Sequence, residues 1–76
     1  MSDLSNKDLG VRLRGFRFRR GWKLKDLSER TGIPESTLLM YERGQRTPPG
    51  NRMIRLMVVL DIEADDLIDN IIPVEV

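Results

Sequence analysis

Residues 24–44 read LKDLSERTGIPESTLLMYERG, and their spacing decides the fold. Leu24, Leu27 and Ser28 lie three and four positions apart, so Leu27 and the small Ser28 can face inward while Lys25, Asp26, Glu29 and Arg30 stay in water. Thr31-Gly32 ends that helix, because glycine enters the left-handed region without the steric cost of a Cβ. Ile33-Pro34 restarts the chain with an apolar anchor and a proline whose fixed φ suits a helix start. A second helix is predicted from about Glu35 to Arg43, with Gly44 as its stop.

Working outward, helix 1 is predicted over about Asn6 to Arg20. Ser5 caps it, with Asp8 in capping-box spacing, and Leu9, Leu13 and Phe16 form its buried stripe. Helix 4, about Gly50 to Leu60, follows Pro48-Pro49 and offers Met53, Ile54, Leu56, Met57, Val59 and Leu60 as a broad apolar face. Helix 5, about Ala64 to Asp69, starts on Asp65-Asp66, which places negative charge at the positive end of the helix dipole. The expected architecture is therefore all-α, a compact five-helix domain with a short C-terminal tail. Residues 1–8 form the lead-in and the start of helix 1, residues 9–69 the domain, and residues 70–76 the apolar tail.

With 76 residues, the chain is one small domain near the lower size at which an apolar core suffices. It has no cysteine for a disulfide or a thiolate metal site, and no histidine to serve as general base or zinc ligand. No nucleophile–base pair or metal-ligand cluster is visible, so neither an enzyme nor a bound cofactor is expected. No apolar run approaches a membrane span, and the N-terminus lacks the pattern of a signal peptide; a cytoplasmic protein is the expectation. The net charge of +1 hides an asymmetry. Through Arg55, thirteen cations face six carboxylates for a net of +7, and the remainder carries −6. Such segregation directs a positive field at a polyanion and orients the approach.

The segments LGVRLRGFR, DLSERTGI, ESTLLMYERG with GQRTP after it, and LMVVLDIEADDLID occur in order. Together they resemble the Cro and phage-repressor type of helix-turn-helix, the XRE family, over roughly Leu9 to Leu67. The resemblance implies a lambda-repressor-like fold and sequence-specific binding of double-stranded DNA by the helix after the turn. It implies a transcriptional regulator, read as a repressor that occupies an operator. With Leu38 and Tyr41 inward, the outward residues of that helix are Glu35, Ser36, Leu39, Met40 and Arg43. By resemblance, Glu35, Ser36 and Met40, with Leu39 beside them, take the base-reading positions. Glu35 could accept from a cytosine amino group, Ser36 can bond either way, and Leu39 or Met40 could meet thymine methyls. Lys23, Lys25, Thr37, Arg43, Gln45 and Arg46 take the DNA-backbone positions. The resemblance also pairs Arg17 with Glu42 as a structural ion pair.

Three residues depart from the family pattern. Lys23 stands where a serine or threonine usually caps the helix, Leu24 where glutamine is frequent, and Met40 where a polar residue is usual. Readout is therefore expected to lean on methyl contacts and DNA shape. The alternative is that Leu24, Leu39 and Met40 form an apolar patch for a regulatory protein partner, as in an antirepressor or adaptor. The tail Ile71-Ile72-Pro73-Val74-Glu75-Val76 needs burial; a homodimer contact is favoured, with folding back on helices 1 and 5 as the alternative. Dimers of such domains read half-sites about one helical turn apart, roughly 34 Å.

Overall fold

Apolar residues at helical spacing, interrupted by glycine and proline, divide the chain into four helices in the computed structural model, which describes residues 6–62. These are α1 (Asn6–Arg19), α2 (Leu24–Thr31), α3 (Glu35–Glu42) and α4 (Gly50–Leu60); there is no strand among the described residues. The Ser5 cap, the helix expected at Ala64 to Asp69 and the tail from Asn70 lie outside the described residues. The all-helical class is as expected from the sequence.

Each element contributes to one core. Leu9 and Leu13 come from α1, Leu27 from α2, Ile33 from the turn, Leu38 and Tyr41 from α3, and Leu56 and Leu60 from α4, with Ile62 beyond it. Burying each such side chain is worth about 1.5–3 kcal/mol. α3 packs on both α1 and α2, and α2 also meets α4, so the helix after the turn is held from two sides.

Two expected core positions differ. Phe16 is only half-buried, and Arg17 takes the inward place beside Leu13, because its guanidinium is neutralised there by Glu42. On α4 the inward set is Met53, Leu56, Met57, Val59 and Leu60, with Leu56 and Leu60 almost wholly buried at its centre. Ile54 falls about 100° off that face and is 63% exposed.

The turns follow from local chemistry. The Gly32 N–H donates to the Ser28 carbonyl at 2.8 Å, with φ 76°, a single-bond left-handed cap. Lysine has no acceptor, so at the start of α2 the Lys23 side chain caps nothing. The Asp26 carboxylate instead accepts from the Lys23 backbone N–H at 2.9 Å, the reciprocal half of a capping box. After α4, Asp61 adopts φ 57° and the Ile62 N–H donates to Met57 O at 2.8 Å, a closure that folds Ile62 into the core.

Candidate nucleic-acid interface

The turn between α2 and α3 is fastened by groups on both sides. Buried Thr31 donates its hydroxyl to the Leu27 carbonyl at 2.8 Å and accepts from the Ile33 N–H at 3.2 Å. Ile33 is fully buried beneath this bridge. From α4, Arg55 Nη1 donates to the Thr31 carbonyl at 3.1 Å, and Arg52 Nη1 to the Tyr41 hydroxyl at 3.1 Å. Sequence reasoning missed these three side chains as positioning groups. Replacing Thr31 with valine keeps the shape but leaves the Ile33 N–H unpaired, and is expected to cost about 1–3 kcal/mol. Thermal unfolding should show a midpoint lower by about 4–24 °C; an unchanged midpoint would deny the bridge its role.

α3 starts after Pro34, whose carbonyl accepts from the Leu38 N–H at 3.0 Å, so the proline precedes the first helical residue. Glu35 then occupies the first turn, its carboxylate near the positive end of the helix dipole. Leu38, Tyr41 and Glu42 face the core. Glu35, Ser36 and Arg43 are exposed, and Thr37, Leu39 and Met40 are half-buried. These residues share the outer side of α3, but the two apolar ones are partly covered. Leu24 packs against the core, which removes it from the expected patch of Leu24, Leu39 and Met40. Its position at the start of α2 places it over the edge of the core, where an apolar side chain gains from burial.

Arg17 and Glu42 join α1 to the end of α3. Nε donates to Oε2 at 2.7 Å and Nη2 to Oε1 at 2.9 Å, a bidentate pair with both side chains almost wholly buried. Nη1 donates to the Trp22 carbonyl at 2.9 Å, so the guanidinium also ties down the α1–α2 connection. The hydrogen bond to Glu42 raises the Arg17 pKa, outweighing the lowering effect of burial.

The end of α3 meets the start of α1. Gly44 has φ 74°, and a Cβ there would lie 2.7 Å from Lys7 Cα, so both conformation and space require glycine. Thr47 Oγ1 donates to Asn6 Oδ1 at 2.6 Å across the same junction. Exposed Lys7 thus stands beside the turn that carries exposed Arg43, Gln45 and Arg46, a neighbour that no local pattern could have revealed. Lys23 and Lys25 are exposed at the start of α2. Among the described residues no helix is long and apolar enough to cross a membrane, and no group of acidic residues could hold a metal ion.

Two helices at a tight turn, the second anchored on one face and open on the other, define a helix-turn-helix module. A family model described as a helix-turn-helix domain matches residues 8–70, and the chain belongs to that family, in its Cro and phage-repressor (XRE) type. The HTH-type transcriptional regulator SinR of Bacillus subtilis (strain 168) is 31% identical over 62 residues, covering 80% of this chain and 56% of that protein. The chain thus spans about half the length of this curated relative. The crystal structure of the restriction-modification controller protein C.AhdI from Aeromonas hydrophila is similar with a TM-score of 0.76 at 32% identity, covering 82% of this chain and 94% of that one.

Proposed function

We propose that this protein binds double-stranded DNA sequence-specifically and regulates transcription in the cytoplasm, as a repressor that occupies an operator. The observation that carries the reading is the anchoring of α3 by Leu38, Tyr41 and Glu42, which leaves Glu35, Ser36 and Arg43 exposed on a rigid support. Glu35, Ser36, Leu39 and Met40 read base edges from the major groove, the carboxylate accepting from cytosine and the apolar pair meeting thymine methyls. Lys7, Lys23, Lys25, Thr37, Arg43, Gln45 and Arg46 hold the phosphates and set the register. The relatives are regulators by name, which favours this reading over an enzyme. Homodimerisation is supported by α4, where Ile54 and Val58 are 63% and 72% exposed and line an open depression with Met57 and Ile62. Two copies joined there would engage two half-sites and gain affinity that one short helix lacks.

Selection from a random duplex pool, followed by titration of the winner at several salt concentrations, tests the proposal. Enrichment of one motif and a steep fall of affinity with salt are expected; no enrichment would remove it. Arg46→Ala should weaken all sequences alike and reduce the magnitude of the log–log salt slope by about 1. Glu35→Gln should instead change preference at one base position by about 1–3 kcal/mol, away from cytosine. Equal effects of Glu35→Gln on every base would show that Glu35 reads nothing.

A further inference from the structure

Phe18 is 56% exposed and lies outside the core, yet two cations share its ring. The guanidinium carbon of Arg14 is 4.9 Å from the ring centroid and that of Arg17 is 4.8 Å from it, both within the range of a cation–π contact. The two arginines differ in what else they meet. Arg17 is neutralised by Glu42 and also donates to the Trp22 carbonyl. Exposed Arg14 has neither a hydrogen bond nor an ion pair among the described residues, so its charge is unmatched and the ring alone holds it.

The place of that charge gives it a use. Arg17 grips Glu42 at the end of α3 and the Trp22 carbonyl in the α1–α2 connection. Arg43 follows Glu42 directly and Lys23 follows Trp22, so the Arg17 guanidinium sits between the two edges that hold phosphates in the proposed complex. Neutralised by its carboxylate, Arg17 adds no net charge to that interval. Arg14 does. Gly10, Arg14 and Arg17 fall at i, i+4 and i+7 on one side of α1, and Gly10 and Arg17 are where α1 meets the end of α3. Phe18 then keeps the free guanidinium beside Arg17 instead of leaving it to range through solvent. An arginine already ordered on a ring loses less freedom on binding, and a ring contact consumes none of its N–H donors. We propose that Arg14 binds a DNA phosphate between the edge formed by Lys23 and Lys25 and the edge formed by Arg43 and Arg46, with Phe18 as the residue that positions it. The contact rests on the DNA reading and joins the two edges into one basic track across α1.

Salt titrations of the full chain against the duplex enriched by selection, and against a shuffled duplex of the same composition, test it. Arg14→Gln should weaken both duplexes by the same factor. It should also reduce the ratio of affinities between about 50 and 200 mM salt by about three- to fourfold, the effect of one lost phosphate contact. Phe18→Leu keeps an apolar side chain but removes the ring, and should weaken binding by about two- to fivefold with the salt slope unchanged. The same substitution should add nothing in the Arg14→Gln background, and Phe18→Tyr should bind like the parent. An Arg14→Gln slope equal to the parent's, while Arg46→Ala lowers it, would overturn the contact and leave the DNA reading standing. Slopes unmoved by either substitution would overturn both. A loss from Phe18→Leu of equal size with and without Arg14 would run through Arg17 instead and would overturn the positioning role.

Discussion

Glu42→Ala is expected to lower stability by about 3–5 kcal/mol, which for a domain of this size is a fall of roughly 12–40 °C in the unfolding midpoint. The size follows from what remains. The Arg17 guanidinium would stay almost wholly buried, still held by the Trp22 carbonyl but without the carboxylate that neutralises it. A domain of 76 residues has only about 4–11 kcal/mol of stability in total, so the variant would stand near the edge of folding. Replacing both partners, Arg17→Met with Glu42→Leu, should recover much of the loss, because the apolar pair removes the stranded charge. The sign of the pH effect follows from the raised Arg17 pKa. Its contribution is fully present below the ordinary guanidinium range and is lost only in strong alkali, as pH rises through the folded value. From the arginine, no pH dependence is expected near neutrality. Circular dichroism melts of the single and double variants check all three expectations, and a single variant that melts like the parent would show that the pair contributes nothing.

The ranges of α2 and α4 were legible because two independent signals coincide there: apolar spacing fixes the inward face, and Gly32 marks the end of α2 as Pro49 marks the start of α4. Leu27, Ile33, Leu38 and Tyr41 could be placed inward for the same reason, and their burial leaves Glu35, Ser36 and Arg43 exposed on α3. Periodicity was less informative about Ile54 and Phe16. A broad run of apolar residues on α4 does not say which 100° step faces the core, and on α1 a charged residue displaced the expected aromatic. Residues whose partners are distant in sequence were invisible to local patterns. Arg52 and Arg55 counted only toward the positive charge through Arg55, yet they fasten Tyr41 and the Thr31 carbonyl, and Lys7 reaches the Gly44 turn only through the packing of α1 on α3. Leu24 shows the converse: it counted as an outward apolar residue because the sequence does not display the core edge beneath it.

Gly10→Ala isolates that packing, and its expected effect is opposite in sign to helix propensity. Alanine in the middle of a helix should stabilise by up to about 1 kcal/mol. Here a Cβ would lie 2.5 Å from the Tyr41 carbonyl oxygen and 2.7 Å from the Glu42 carbonyl carbon. Both obstacles are backbone, so no side chain can rotate away, and α1 must separate from the end of α3. Overpacking of this kind costs about 1–3 kcal/mol, and more where helices must move, so a net loss of about 2 kcal/mol is expected, or about 8–16 °C in the midpoint. The displaced backbone carries Glu42, hence separation also loosens the Arg17 pair. A cycle of Gly10→Ala and Glu42→Ala should therefore be less than additive, because the first change already weakens what the second removes. DNA affinity supplies a second readout, since the same movement shifts the Gly44 turn with Arg43 and Arg46. A more stable Gly10→Ala protein with unaltered binding would mean that α1 and α3 do not meet backbone to backbone.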